Sequence, residues 1–183
     1  MTSIIYSIAF LIAIISQKSG ATDVFEFQDC SNGKGIANFS NISVNPHPIP
    51  LNDIINISAD ITLHQDIPDG AVIKTNLYKV TSLFGFTINI PILCIGGYGS
   101  CSTEHCEYLN TMEIVCPFFP GDEKCGCPVK ANRYRGYNVP VRIPEIGSIL
   151  KALARGHFKY ELRIVTKEKA KELICISITG KIV

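Results

Sequence analysis

The cysteines are the residues in this 183-residue chain whose types and spacing could do chemistry. Six of the eight lie between Cys94 and Cys127, with gaps of six, four, nine, eight and one residues, while Cys30 and Cys175 stand near the two ends. Cysteine thiolates with a nearby imidazole such as His105 can bind zinc, and cysteine pairs can instead form disulfides. The redox compartment decides between these two chemistries.

The N-terminus predicts that compartment. Residues 4–15 form an apolar run that is too short to span a bilayer as a helix, and small residues precede a cleavage site at Thr22. We therefore expect a secretory signal peptide at residues 1–21 and one domain at residues 22–183; a retained membrane anchor is the alternative. In an oxidising compartment the cysteines form four disulfides rather than a metal site, although their number alone allows about 105 pairings.

Composition excludes one class of partner and supports passage through the secretory pathway. Removing Lys18 with the signal peptide leaves 16 basic and 16 acidic residues, so the mature chain lacks the positive charge expected of a nucleic-acid-binding protein. Three glycosylation sequons begin at Asn38, Asn41 and Asn56. Period-two alternation places Asn41 and Asn56 on solvent-facing sides of strands and Asn38 beside the apolar Ile42, so Asn41 and Asn56 are the preferred acceptors.

Alternating apolar and polar residues dominate the rest of the chain and predict strands. In residues 55–63 the pattern points Ile55, Ala59 and Leu63 inward and Ser58 and Asp60 to solvent. Such short strands separated by turns predict an all-β fold, an antiparallel β-sandwich or β-cup of about seven or eight strands. The predicted intervals are 24–28, 38–44, 55–63, 71–82, 84–92, 138–143, 157–166 and 172–182.

The pattern of potential catalytic residues does not favour an enzyme. The four histidines are scattered, and the chain contains no Gly-x-Ser-x-Gly, His-Glu-x-x-His or phosphate-binding glycine motif. We therefore predict no catalytic residues, no metal and no cofactor.

An excess of apolar residues near the centre of the chain is the more informative feature. These residues either pack between two sheets or line a cavity for an apolar ligand; they are Leu83, Phe84, Phe86, Ile88, Ile90, Leu93 and Tyr98. A second set recurs at helical spacing beside Lys151 and Arg155, and fits either a short packed helix or a basic amphipathic segment that contacts lipid; it consists of Ile146, Ile149, Leu150 and Leu153.

Several motifs resemble the ganglioside-activator branch of the ML (lipid-recognition) domain family. They include Pro-Ile-Leu-Cys at 91–94, Gly-Ser-Cys-Ser-Thr-Glu-His-Cys at 99–106 and Cys-Gly-Cys-Pro-Val-Lys at 125–130. The resemblance covers essentially the whole mature chain and implies the pairings Cys30–Cys175, Cys94–Cys101, Cys106–Cys127 and Cys116–Cys125. It also implies a β-cup with an apolar interior.

The resemblance further implies a non-enzymatic function. A protein of this branch would extract a glycosphingolipid or phospholipid from a membrane and present it to a soluble lysosomal β-hexosaminidase, in the lysosomal lumen or outside the cell. The chain departs from the family in having no Trp for its mouth loops, where Phe84 or Phe86 and Ile149 with Leu150 stand instead. An innate-immune sensor of microbial lipids, a general secreted lipid carrier, a hydrolase and a purely structural domain are the alternative functions.

Overall fold

A computed structural model describes residues 24–111, 113–121, 124–143 and 154–183. These residues form nine strands and two short helical segments, α1 at His105–Thr111 and a 3-10 helix at Glu113–Phe118, which connect β6 to β7. The strands are β1 Glu26–Asp29, β2 Ala37–Asn45, β3 Ile54–Leu63, β4 Val72–Leu83, β5 Phe86–Ile92, β6 Ser102–Glu104, β7 Arg133–Arg142, β8 Gly156–Val165 and β9 Glu172–Ile182.

Each of the eight predicted strand intervals corresponds to one of these strands, and the short β6 and both helical segments were not predicted. Three residues are too few to show alternation, which explains the omission of β6. The predicted signal peptide and the set Ile146, Ile149, Leu150 and Leu153 lie outside the described residues. Within the described part of the chain, no helix is long and apolar enough to span a membrane.

The strands form two antiparallel sheets, which confirms the predicted fold class. The larger sheet has the order β1-β9-β8-β4-β5, with β6 also paired to β4, and the smaller sheet has the order β2-β3-β7. The rings of Phe27 on β1 and Phe39 on β2 lie 5.3 Å apart, so these two strands face each other across the sandwich. Because three strands face five, the smaller sheet leaves part of the larger one uncovered.

Strand register identifies the inner face of the larger sheet. Directly paired residues point to the same face, and Ile73, Ile164 and Ile174 form one such row. All three belong to the buried core, which also includes residues of β2, β3, β7 and the connecting loops. Counting in steps of two from this row therefore assigns the remaining inner-face residues of β4, β8 and β9.

Two β-bulges lie beside β3, one on β2 and one on β7. The β3–β7 register shifts between Ile57 and Ala59, and the extra residue is on β7, so the alternation along β3 is kept. Ser58 and Asp60 lie on the outer face of this sheet but are buried. Arg133 on β7 covers Asp60 and donates from Nε to the carboxylate at 2.8 Å. The predicted face of Ser58 and Asp60 is correct, but their predicted solvent exposure was wrong because β7 covers them: the Asn138 N–H also donates to the Ser58 hydroxyl at 3.0 Å.

A second bulge bears on the glycosylation sites. The β2–β3 register shifts between Ser40 and Ser43, and Asn41 has a φ of 52°. The alternation predicted that Asn38 and Ile42 lie on the same face of β2. Asn38 and Asn41 are instead both exposed, whereas Ile42 is half-buried. Asn56 is half-buried on β3, which is the central strand of its sheet.

Four disulfides join the cysteines in the pairings that the resemblance implies: Cys30–Cys175, Cys94–Cys101, Cys106–Cys127 and Cys116–Cys125. The first links residues 145 positions apart and ties the start of the described chain to β9. The other three lie within the connection between β5 and β7. A single long-range bond thus holds the termini, while three local bonds hold a segment with little regular structure.

Candidate functional site

The uncovered part of the larger sheet carries an apolar surface at β4 and β5. Ile88 and Ile90 on β5 pair with Thr81 and Lys79 of β4, and Phe86 pairs with Leu83, so these side chains lie on the inner face. We call Leu83, Phe86, Ile88 and Ile90 the apolar margin. Their exposed fractions are 52%, 74%, 37% and 49%, respectively, although they belong to the same face as the core.

The tip of the β4–β5 hairpin exposes a further aromatic ring. Phe84 and Gly85 form a two-residue turn with φ values of 50° and 83°, as a type I′ turn requires. Glycine, asparagine and aspartate are preferred in such turns because other residues are strained at positive φ. Phe84 is nevertheless 92% exposed. Strain together with exposure makes Phe84 a candidate for contact outside the chain.

The inner face becomes more polar as it passes from the margin towards the core. Lys79 on β4 pairs with Phe158 on β8, and its ammonium group lies 5.8 Å from the centre of the Phe158 ring. Lys79 is the only charged side chain at the inner-face positions of β4, β5, β8 and β9. Its ammonium group places a positive charge on this surface.

One row further in, a pair of tyrosines lies beneath this surface. The hydroxyl oxygens of Tyr160 on β8 and Tyr108 on α1 are 3.5 Å apart. Burial raises the pKa of Tyr160 far above its usual value, and the contact with Tyr108 acts in the same direction. The Tyr160 phenol is therefore neutral at any physiological pH. The two tyrosines provide a polar boundary between the exposed apolar margin and the closed core.

A second exposed apolar group is a short hairpin between β5 and β6. Gly96 and Gly97 adopt positive φ values in a turn that is closed by hydrogen bonds in both directions between Ile95 and Tyr98. The Cys94–Cys101 bond fixes its base, and Leu93, Ile95 and Tyr98 are exposed. This hairpin leaves the edge of β4 near Thr75, whose hydroxyl donates to the Gly99 carbonyl at 2.8 Å. It therefore lies apart from the apolar margin.

A pocket of about 460 Å³ lies at the free edge of β7 and contains two arginines, of which Arg133 is already paired with Asp60. The Tyr137 hydroxyl also donates to this carboxylate, at 3.2 Å. The Arg133 guanidinium holds the pKa of Asp60 below its usual value. The pocket is lined by Phe118, Phe119, Pro120, Gly121, Arg133 and Arg135. We interpret Asp60, Arg133 and Tyr137 as a structural cluster of the outer face.

The zinc hypothesis involves His105, Cys106 and Cys127, whose potential ligand atoms lie within 4.8 Å of one another. The two sulfurs are bonded to each other and therefore provide no thiolate. The His105 Nδ1 atom lies 3.5 Å from Cys127 Sγ, and burial lowers the pKa of His105 below its usual value. His105 thus packs as a neutral ring against a disulfide.

The structure brings together only part of the predicted site. Leu83, Phe86, Ile88 and Ile90 share one surface with Phe84 at its end, whereas Leu93 and Tyr98 belong to the separate hairpin. The side chains of Lys79, Phe158, Tyr160 and Tyr108 were not predicted as site residues. Strand alternation places Phe158 and Tyr160 inward, but only the pairing of β8 with β4 shows that they adjoin the margin.

Comparison with known proteins agrees with this architecture. The profile of the ML domain family matches residues 24–182. The ganglioside GM2 activator of Mus musculus is 24% identical over 169 residues, which cover 86% of this chain and 81% of that protein.

Two solved structures are also similar. A Niemann-Pick type C2 protein from Japanese carpenter ant is 17% identical with a TM-score of 0.41, and the alignment covers 86% of this chain and 99% of that one. Chicken MD-1 complexed with lipid IVa is 18% identical with a TM-score of 0.43, and the coverage is 86% and 88%. Because the family profile spans nearly all of the described residues, this chain is a member of the ML domain family.

Proposed function

We propose that this protein is a non-enzymatic lipid-binding protein that removes lipid from membranes and holds its acyl chains against the apolar margin. The observation that carries the proposal is the exposure of Phe86, Ile88 and Ile90 on the core-facing side of a sheet. A soluble domain rarely leaves a contiguous apolar surface open unless that surface binds something. An acyl chain is a suitable occupant because it requires apolar contact and no specific hydrogen bonds.

The energetics favour acyl chains over a small polar ligand. Each methylene group that the margin removes from water contributes about 0.8 kcal/mol, so ten methylenes would contribute roughly 8 kcal/mol before ordering costs are subtracted. Leu83, Phe86, Ile88 and Ile90 provide aliphatic and aromatic carbon without a polar group. Lys79 and the two tyrosines lie beyond them, where a lipid headgroup or an ester would meet polar atoms.

The proposed lipid class is a glycosphingolipid or an anionic phospholipid. Similarity to the mouse ganglioside GM2 activator supports a ganglioside-like ligand, and the ammonium group of Lys79 supports an anionic group on it. In the finer form of the proposal, the protein presents this lipid to a soluble lysosomal β-hexosaminidase. The four disulfides support a location in the secretory pathway, in the lysosomal lumen or outside the cell.

Adjacent substitutions on opposite faces of β5 test lipid binding. Ile88→Glu places a carboxylate on the inner face, whereas Thr87→Glu places the same group on the outer face one residue away. Native mass spectrometry should find co-purifying lipid in the wild-type protein and in Thr87→Glu, and vesicle assays should show transfer by both. Ile88→Glu should lose both properties while keeping its melting temperature, because the site is already exposed. Equal transfer by the two variants would contradict the proposal.

A separate assay tests the finer proposal. Purified β-hexosaminidase is supplied with a ganglioside in vesicles, with and without the protein. Increased hydrolysis that depends on Ile88 would support presentation to the enzyme. Lipid transfer without any increase in hydrolysis would leave lipid binding intact and favour a general secreted carrier or a sensor of microbial lipids.

A further inference from the structure

Strand β5 forms the edge of the larger sheet, and within the described ranges no strand pairs with its outer side. Its seven residues have regular register with β4 throughout. Proteins commonly protect such an edge with charged side chains. Here residues 80–103 contain no Asp, Glu, Lys, Arg or His. Pro91 protects one end of this edge, and residues 86–90 carry no such protection against pairing with another strand.

The hairpin geometry determines which backbone groups point outward. In a two-residue turn, the residues before and after the turn form a hydrogen-bonded pair, here Leu83 and Phe86, and hydrogen-bonded pairs alternate along the strands. Ile88 and Ile90 therefore bond to β4, whereas the backbone groups of Thr87 and Asn89 point to the free edge. Pro91 also falls at an outward position, where its missing N–H removes no bond to β4, and this agrees with the assignment.

We propose that β5 pairs antiparallel with β5 of a second copy of this chain, with Ile88 on the two-fold axis. In this register Thr87 of each copy lies opposite Asn89 of the other, so each such pair exchanges two N–H···O bonds and the interface gains four. Centring the axis on Asn89 would instead place Thr87 opposite Pro91, which has no N–H to donate. Both registers form four N–H···O bonds, but centring the axis on Asn89 leaves the Thr87 carbonyl of each copy without a donor, and this difference favours the axis at Ile88.

Side chains also fit this arrangement. On the inner face the Ile88 side chains of the two copies lie against each other, and Phe86 of each copy lies against Ile90 of the other. Both pairs are of the non-hydrogen-bonded kind, in which side chains approach most closely. Because the strand is uncharged, bringing two identical copies together creates no like-charge repulsion. A strand pair alone is smaller than a standard interface, so the association should depend on concentration.

Asn89→Pro tests this interface without changing the sheet behind it. The Asn89 N–H points away from β4, so proline there should be tolerated as Pro91 is, and it removes two of the four hydrogen bonds between the copies. Asn89→Thr is the matched control, because it keeps the N–H and suits a strand. Sedimentation velocity over a concentration series should show a monomer–dimer equilibrium for the wild-type protein and the Asn89→Thr variant, and a monomer for Asn89→Pro.

Thermal unfolding of the monomeric variant identifies any failure to fold. A wild-type protein that stays monomeric at all concentrations, or a folded Asn89→Pro variant that still dimerises, would overturn the proposal. Register is tested separately by Ile88→Cys, which should form a disulfide-linked dimer under mild oxidation, whereas Asn89→Cys should not. The reverse result would overturn the proposed axis. None of these outcomes depends on lipid binding.

Discussion

Replacing Phe84 by asparagine should make the protein more stable and less able to bind membranes. The φ of 50° at Phe84 costs a residue other than glycine about 1–2 kcal/mol, and asparagine tolerates this conformation far better. The ring is 92% exposed, so its removal loses almost no packing. The expected gain is about 1 kcal/mol, which corresponds to roughly 2–4 °C in melting temperature for a domain of this size.

The same substitution should weaken association with vesicles. Transferring an exposed phenylalanine side chain from water into an apolar phase contributes about 1.5–3 kcal/mol, which corresponds to roughly a ten- to hundredfold change in partitioning. Phe84 lies at the end of the apolar margin, where lipid would enter. Vesicle flotation should therefore show that Phe84→Asn binds less than the wild-type protein, and the rate of lipid extraction should fall with it.

Ala170 provides a matched control for the effect of backbone strain. It is an exposed residue with a φ of 48° in the turn between β8 and β9. The twelve-residue strand β4 separates the two turns by roughly 40 Å. Ala170→Asn should also raise the melting temperature, but vesicle binding should stay unchanged. If Phe84→Asn lowers the melting temperature, the argument from strain is wrong; if it binds vesicles as before, Phe84 does not contact membrane.

Three further outcomes follow from the described contacts. In the chain-entropy model, removing the Cys30–Cys175 bridge should lower the free energy of unfolding by about 5 kcal/mol and removing the Cys94–Cys101 bridge by about 2 kcal/mol, because the bridges span 145 and 7 residues. Urea unfolding of variants in which both cysteines of a bridge are replaced by alanine measures each loss. Because the pKa of His105 is lowered in the folded protein, the unfolded chain binds a proton at higher pH than the folded one does. The free energy of unfolding should therefore fall as pH drops below 6.5. Urea unfolding at a series of pH values should show that His105→Gln flattens this dependence. Lys79→Met keeps the apolar stem and should reduce extraction of anionic lipids relative to zwitterionic ones in a mixed-vesicle assay.

The sequence predicted the strands well because their pattern comes from a simple physical cause. A half-buried strand must alternate apolar and polar side chains, and β8 does so from Phe158 to Ile164. The pattern failed where a bulge interrupts the alternation, as at Asn41 on β2. It also missed the first half of β7, in which Arg133 and Arg135 alternate with the core residue Tyr134 and the pattern is too short to recognise. Local alternation therefore predicted elements, but it did not predict their irregularities.

The candidate site was predicted less completely, because exposure depends on which strands cover one another. Ile88 has the sequence pattern of a core residue, and only the three-against-five arrangement of the sheets shows that it lies open. Leu93 is as apolar as Leu83, yet a disulfide places it in a different hairpin. Phe84 is the instructive exception. A phenylalanine beside Gly85 in a two-residue turn conflicts with the local preference for asparagine or glycine, and functional sites are where such conflicts between sequence and local structure are expected.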